Sequence, residues 1–502
     1  MEPTSRVPSF TAPSPKANFP TYLPVRTHLA HTTSRYIDAV DASAKMYQAR
    51  NIFLPMPIAR IPVEILIEIF KIHAESHPEI DHPGTVLRLV NKYWDVVASH
   101  TPCLWTKINI FPFPKRRFNA AVKWIHATNS EKIDVAIYFR HPDWDCDTYH
   151  NSEIENRTEE PANELVGVQN VMVLLRDTEK RWRSIKVVSQ TWLPLYKFMQ
   201  GWTFTHLPSL ESISMERENP YFALYDEAFY PERLRAPVTL FGRNASLPKL
   251  RDLSLSAVHV DWNDAPASYR SLRKLELRNL AYDTGPSFEQ FGAMLSSSPR
   301  LEYLDVSGFC PEPEGDPEIP VVYLPALRDF TFGWKDHRHG GKLLQMFQIG
   351  SSLESLTLKD AQHDFVASRP VLKREGWIRD SSEIFKALHD LGKGTPPGPF
   401  ISMRGVRSLR IIWTKTKPLA LVPLIEMLTE LEDIWLEDVD GWVLADVASV
   451  LIERGQARRQ LRLALRWAWR KEVSDFAKSR IKRLKDAGIR VTAQAGGAWH
   501  VG

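Results

Sequence analysis

The chain has 502 residues, of which 43% are hydrophobic and 25% are charged, the balance of a folded protein that is too long for one ordinary domain. Its 64 lysines and arginines nearly match its 60 aspartates and glutamates, which argues against a nucleic-acid or membrane-surface partner. No apolar run reaches the length of about 18 residues that a transmembrane helix needs.

The N-terminal segment has the composition of a disordered tail. Residues 1–33 are rich in proline, serine and threonine, and such segments cannot bury enough apolar surface to fold. They lack the apolar core of a secretory leader, and their prolines oppose the amphipathic helix of a transit peptide. Residues 34–51 are predicted to form a helix whose apolar side contains Tyr36, Ile37, Val40, Ala44 and Tyr47.

The cysteines and basic runs bear on location. Cys103, Cys146 and Cys310 are odd in number and far apart, which suits a reducing compartment without disulfides or a zinc site. The basic residues at 115–117 and 478–485 would serve as weak nuclear signals, although a charged loop and a solvated helix face explain them better. We therefore expect a cytoplasmic and/or nuclear protein.

Residues 52–110 carry the signals of three short helices. Pro62 stands where a helix begins, and an apolar stripe at helical spacing follows it, made of Ile65, Leu66, Ile69 and Phe70. The prolines at 78 and 83 end that helix. A second short helix is predicted from about Thr85 and a third over residues 91–99, with the apolar residues Leu87, Val90, Tyr93, Trp94, Val96 and Val97. Such a small unit is only marginally stable alone, so it should dock against another surface.

The order of these residues resembles the F-box, the small helical module by which many proteins bind the Skp-family adaptor of cullin-RING ubiquitin ligases. The residues that carry the resemblance are Ile61-Pro62, Glu64-Ile65-Leu66, Ile69-Phe70, Leu87, Val90 and Trp94. The T-P-C-L-W segment at 101–105 is similar to the ending of F-box-like proteins abundant in mushroom-forming fungi. The resemblance implies a Skp-family adaptor, and through it a cullin, as partners.

The resemblance also implies an adaptor-binding face, made of Pro62, Ile65, Leu66, Ile69, Phe70, Leu87, Val90 and Trp94. On this interpretation Leu66→Asp or Phe70→Asp should abolish adaptor binding, since each buried aliphatic side chain contributes roughly 1.5–3 kcal/mol. The alternative is a helical unit that merely caps the following domain, and the two interpretations are compatible.

After residue 110 strands and helices alternate. Strands are predicted at 108–111 and 133–139, and helices at 118–127 and 165–176, with a polar loop at 141–161 between them. An L-x-x-L-x-L pattern then recurs nine times, starting at Trp182, Leu210, Leu250, Leu272, Leu301, Leu327, Leu353, Val406 and Leu431. The steps from Leu250 to Leu353 are 22, 29, 26 and 26 residues, the pattern of leucine-rich repeats.

Such repeats stack because one unit cannot cover its own apolar edge. We therefore expect an α/β fold in which the three-helix unit is followed by a leucine-rich-repeat solenoid over residues 111–442, with irregular inserts. Parallel strands should form its concave face, and helices or irregular returns its convex face. Residues 443–502 should form a C-terminal capping repeat, with helices at 444–452 and 473–484 and strands at 461–465 and 489–493.

Side chains alternate along a strand, so the residue between the last two leucines of each repeat should face the concave side. Those residues are Ser254, Glu276, Asp305, Thr331, Thr357, Arg410 and Trp435. A surface that mixes charges with an exposed tryptophan suits a protein partner. The residues predicted to bind a protein target are Glu276, Arg278, Asp305, Lys359, Trp435 and Glu437.

No catalytic motif stands out, and we expect no catalytic residue, metal site or cofactor. The ligand-rich run at 141–150 would supply His, Asp and Cys to a metal, but a flexible acidic loop has the same composition. The run at 337–342 would cradle an anion at the start of a helix, or serve as a solvated connection. Three hypotheses follow: a ligase substrate receptor, a repeat scaffold without a ligase link, and an enzyme built on the solenoid.

Overall fold

The computed structural model describes residues 61–77, 83–139, 162–190, 192–202, 206–218, 234, 236–240, 246–264, 271–280, 284–311, 319–361, 380–395, 398–455, 461–467 and 474–495. The predicted tail at 1–33, the predicted helix at 34–51 and the run at 141–150 lie outside these residues.

One 13-stranded parallel sheet runs through the molecule. Its strands, in spatial order, are β1 (Lys107–Ile110), β2 (Ile133–Phe139), β3 (Trp182–Ser189), β4 (Ser212–Arg217), β5 (Asp252–Ser256), β6 (Lys274–Arg278), β7 (Tyr303–Ser307), β9 (Asp329–Trp334), β11 (Ser355–Asp360), β13 (Ser408–Ile412), β14 (Asp433–Glu437), β15 (Arg462–Trp467) and β16 (Arg490–Ala495). Every predicted repeat supplies one strand. The α/β class with a stacked parallel sheet is confirmed.

A second, three-stranded parallel sheet forms in the return segments. It contains β8 (Val322–Leu324), β10 (Phe347–Ile349) and β12 (Phe400–Ile401). The helices of the described returns and of the C-terminal part are Lys115–Ala127, Ala162–Leu175, Trp192–Gln200, Phe288–Ser296, His337–Leu344, Ser382–Gly392, Val422–Met427, Gly441–Gly455 and Asp475–Asp486. None of the described helices is both long and apolar enough to cross a membrane.

The leucine pattern explains the sheet. Register aligns Leu275 with Leu304 and Leu277 with Val306, and these side chains are buried in one continuous core. The residues between them lie on the opposite face, which we call the open face. At the strand exits a left-handed turn recurs, for example at Asn279 (φ 54°), whose N–H donates to the carbonyl of Ser307 in the next strand.

Three helices precede the sheet and form a helical unit, with bounds Val63–Ser76, Pro83–Arg88 and Lys92–Ser99, followed by a 3₁₀ turn at Pro102–Trp105. Their separate core contains Leu66, Phe70, Leu87, Val97, Ala98, Leu104 and Trp105. Trp124, on the first helix after β1, packs against both this core and the core of the sheet. The helical unit is therefore docked at the first strands of the sheet.

Two local expectations were wrong. The run at 337–342 is not a connection, because the helix His337–Leu344 begins there. The Asp336 side chain accepts hydrogen bonds from the backbone N–H groups of Arg338 and His339. The carboxylate of Asp336 therefore occupies the position at the helix start where a bound anion was expected. The basic residues at 115–117 are not a loop but the first turn of the helix Lys115–Ala127.

Candidate interaction surfaces

The predicted adaptor-binding face divides into a buried part and an exposed part. Leu66 and Phe70 are 0% exposed and Leu87 is 5% exposed, because they form the core of the helical unit. Trp94 is half-buried and meets Phe70 edge-on, with ring centroids 4.9 Å apart. The structure thus corrects the expectation that Leu66, Phe70 and Leu87 contact a partner directly, since their side chains already pack against each other.

The remaining members of that face are open to solvent. Pro62 is exposed, and Ile65, Ile69 and Val90 are 54%, 41% and 44% exposed. Ile72, at 61% exposure, extends the line because residues spaced by three and four lie on one side of a helix. We call Ile65, Ile69 and Ile72 the isoleucine stripe. Sequence reasoning missed Ile72, although its helical spacing from Ile65 and Ile69 was visible.

The first charged cluster lies on β6 and β7. Arg278 contacts Glu276 Oε1 at 2.8 Å and donates from Nε to Asp305 Oδ2 at 2.7 Å, and Lys274 Nζ lies 2.9 Å from Glu276 Oε1. Glu276 and Asp305 are buried by these contacts. The cluster contains two cations and two carboxylates, and these charged groups form ion pairs with each other.

The pKa values in this cluster move in the direction that such pairing requires. Burial opposes ionisation of Glu276, but the Ser254 hydroxyl, Arg278 and Lys274 together lower the pKa of its carboxyl group. Burial likewise opposes the charge on Arg278, yet Asp305 and Glu276 raise the pKa of its guanidinium group. Both partners are therefore held in their ionised forms.

A second charged cluster lies on β13, β14 and β15, and we call it the Arg410 cluster: Arg410, Trp435, Glu437 and Arg466. Glu437 Oε2 accepts hydrogen bonds from Arg410 Nη2 at 2.7 Å and Trp435 Nε1 at 3.3 Å, and its Oε1 accepts one from Arg466 Nη1 at 3.3 Å. The guanidinium carbon of Arg410 lies 5.2 Å from the centroid of the Trp435 ring. One buried carboxylate thus fixes two arginines and an indole.

The structure therefore brings together five of the six predicted target-binding residues as two groups. Lys359 lies between the groups, on β11, and its register partner Gly333 on β9 carries no side chain. Arg466 was missed as a member of the second group. The alternation Leu463-Ala464-Leu465-Arg466 shows that it faces the open side, but only the register of β14 with β15 places it beside Glu437.

No group of three or more His, Cys, Asp or Glu side chains that would hold a metal ion occurs in the part of the chain that the structure describes. Cys310 is buried, and its sulfur donates to the carbonyl of His339 at 3.2 Å. Burial raises the pKa of the Cys310 thiol to about 12, so it is not a nucleophile near neutral pH.

No model of a protein family matches the chain, and a search of curated proteins finds none that matches it. The functional interpretation therefore depends on the surfaces described above.

Proposed function

We propose that the chain is the substrate receptor of a Skp/cullin/F-box type ubiquitin ligase. The helical unit would bind the adaptor, and the open face of the sheet would bind a protein target. The chain would perform no covalent chemistry; it would raise the effective concentration of target lysines near a ubiquitin-loaded enzyme. This proposal places the protein in the cytoplasm and/or nucleus.

The observation that carries the proposal is the isoleucine stripe. Ile65, Ile69 and Ile72 are 54%, 41% and 61% exposed on one side of a helix whose other side forms a core. Exposed apolar patches on a folded protein mark contact surfaces. Full burial of an aliphatic side chain contributes roughly 1.5–3 kcal/mol, so covering the half that is exposed on each isoleucine would contribute roughly 2–4 kcal/mol in total.

The buried part of the predicted face supports the same proposal in another way. Leu66 and Phe70 anchor the helix to the core of the unit, and Trp124 fixes the unit to the sheet. The stripe is therefore held rigidly at one end of the solenoid, which is the arrangement a positioning mechanism needs.

The test is co-purification of the full chain with a Skp-family adaptor. Ile65→Asp and Ile69→Asp should each abolish a one-to-one complex, because a charge would be buried without a partner. Val173→Asp is the matched control, since Val173 is 67% exposed on a helix far along the chain. Unchanged adaptor binding by both isoleucine variants would refute the proposal, provided that circular dichroism shows folded proteins.

The second candidate is a repeat scaffold without a ligase link, in which the helical unit only caps the sheet. The contact of Trp124 with both cores favours it. It predicts that the folded chain does not bind the adaptor. It also predicts that Trp124→Ala destabilises both the helical unit and the first strands of the sheet.

A further inference from the structure

The last two return helices, Gly441–Gly455 and Asp475–Asp486, each begin with an exposed aromatic side chain. Trp442 is 50% exposed and Phe476 is 45% exposed. The Phe476 ring lies beside Gly441, the residue before Trp442, since a Cβ atom at Gly441 would be 3.3 Å from that ring. Large apolar side chains that stay exposed side by side on a folded protein mark a contact surface.

The exposed apolar surface continues into the preceding repeat. Leu419 is 68% exposed and lies shortly before the helix Val422–Met427. Its backbone N–H donates to Oδ1 of Asp446 at 2.8 Å, and Asp446 lies one helical turn after Trp442. Exposed apolar side chains therefore recur where the return helices begin in three successive repeats.

Two arginines extend this surface along the last helix. Phe476, Arg480 and Arg483 are spaced by four and three residues, so they share one side of the helix. The guanidinium carbon of Arg480 lies 5.3 Å from the centroid of the Phe476 ring, a cation–π contact that orients the guanidinium group. Arg483 is exposed one turn further on. We call Trp442, Phe476, Arg480 and Arg483 the C-terminal ridge.

The carboxylates of the last helix do not neutralise its positive charge. The helix Asp475–Asp486 contains five basic residues and two acidic ones. Asp475 pairs with Lys478 at 3.0 Å, which leaves four cations against the single carboxylate of Asp486. Among the residues that the structure describes, neither Arg480 nor Arg483 forms an ion pair. Both guanidinium groups of the ridge can therefore accept a carboxylate from a partner.

The aspartates at the start of the neighbouring helix are engaged elsewhere. Asp440 accepts a hydrogen bond from the backbone N–H of Val443, and Asp446 accepts those of Leu419 and Leu421. These carboxylates cap and connect the return segments, so they are held away from the arginines of the ridge.

A solvated helix face would explain the basic residues of the last helix, but it does not explain the two half-exposed aromatic rings beside them. An occupant of the ridge needs an apolar side chain that covers the rings and carboxylates that meet the guanidinium groups. Phe476 and Arg483 are about 10 Å apart along the helix, at 1.5 Å per residue. A short peptide segment spans that distance.

We propose that the C-terminal ridge binds an acidic segment of a protein partner, whose apolar side chain covers Trp442 and Phe476 and whose carboxylates pair with Arg480 and Arg483. Charge complementarity selects the occupant, and tryptophan and arginine are the side chains that most often anchor protein interfaces. The ridge lies at the last strands of the sheet and the isoleucine stripe at the first. The inference therefore depends neither on the adaptor nor on the open face.

The experiment measures fluorescence polarisation of labelled peptides with the full chain. The probes are an amphipathic helical peptide of glutamate and leucine, the same peptide with glutamine in place of glutamate, and the same peptide with alanine in place of leucine. The first peptide should bind about tenfold or more tightly than either of the others, because it alone supplies both charge-assisted hydrogen bonds and apolar cover.

Two pairs of variants assign the binding to the ridge. Arg480→Gln should remove the difference between the glutamate and glutamine peptides, whereas Lys123→Gln makes the same change of charge on the helix Lys115–Ala127 and should preserve it. Trp442→Ala should weaken binding of the first peptide about tenfold. Tyr323→Ala, which removes an aromatic ring 58% exposed on β8, should leave that binding unchanged.

Three results would overturn the proposal. They are equal binding of the glutamate and glutamine peptides, equal loss in Arg480→Gln and Lys123→Gln, and binding of phosphatidylserine vesicles without binding of the peptide, which would assign the ridge to a membrane surface. Adaptor co-purification with the same proteins separates this proposal from the previous one. Arg480→Gln should keep the adaptor, and Ile65→Asp should keep the peptide.

Discussion

Phe70 and Ile65 lie on the same helix, but truncating them to alanine should have very different effects. Phe70 is 0% exposed and packs edge-on against Trp94 at 4.9 Å. Replacing a buried phenylalanine with alanine costs about 3–5 kcal/mol, of which the aromatic pair accounts for about 0.5–1.5 kcal/mol. Ile65 is 54% exposed, so its truncation should cost about 0.5 kcal/mol, because alanine also favours the helix.

The assay is hydrogen exchange of the full chain, read by mass spectrometry, with the amides of β5–β7 as an internal reference. Since each 1.4 kcal/mol is a factor of ten, Phe70→Ala should reduce protection of the amides in the helices Val63–Ser76, Pro83–Arg88 and Lys92–Ser99 by about 10²–10³-fold. Ile65→Ala should reduce it by about twofold to threefold. Equal losses in the two variants would refute the division of this helix into a buried side and an exposed stripe.

Glu276→Gln should lower the free energy of unfolding at neutral pH, because the native state favours the ionised carboxylate. The difference in stability between the variant and the natural chain should shrink as the pH falls below 4.5, the ordinary carboxyl value, and through the lowered pKa of Glu276, where protonation removes that charge. Denaturant titration at several pH values checks this, with the exposed Glu302→Gln as control, and a constant difference would contradict it. Cys310 should resist iodoacetamide at pH 8 until the chain is unfolded, because a pKa of about 12 leaves about 10⁻⁴ of its thiol as thiolate. Rapid labelling of Cys310 in the folded chain would contradict this prediction. Gly405→Ala should cost about 1–3 kcal/mol, since its Cβ would lie 2.5 Å from a backbone carbonyl oxygen. Gly341→Ala, where nothing lies within 4 Å, should instead stabilise the helix by about 0.5–1 kcal/mol, and thermal melts that reverse this order would oppose the packing described here.

The strands were predictable because their signal is local. Each L-x-x-L-x-L segment alternates, and its apolar residues must be covered by the neighbouring repeat. The clusters on the open face were not predictable as clusters, because they join residues from different repeats. Arg278 and Asp305 are 27 residues apart, and only the register of β6 with β7 brings them to 2.7 Å.

The helical unit shows a different limit. Ile65, Leu66, Ile69 and Phe70 form two adjacent helical lines, and the sequence does not distinguish the line that faces inward. In the structure the inward line is that of Leu66 and Phe70, whose side chains lie in the same core as Trp105. The run at 337–342 was interpreted as a connection rather than as part of a helix because glycine and histidine are weak helix formers. The helix His337–Leu344 is stabilised by the Asp336 cap and two buried leucines.

Backbone contacts explain how a regular open face coexists with irregular returns. Where the strands begin, one carbonyl accepts two N–H groups from the next repeat: that of Arg273 accepts from Glu302 and Tyr303. Where they end, left-handed turns such as Asn279 donate to the next strand. Both contacts lie beside the strands and fix the register there, so the spacing between repeats can vary from 22 residues to the 53 between Leu353 and Val406. Lengthening a return should therefore leave the open-face clusters in register, which is the property that a binding surface assembled from separate repeats requires.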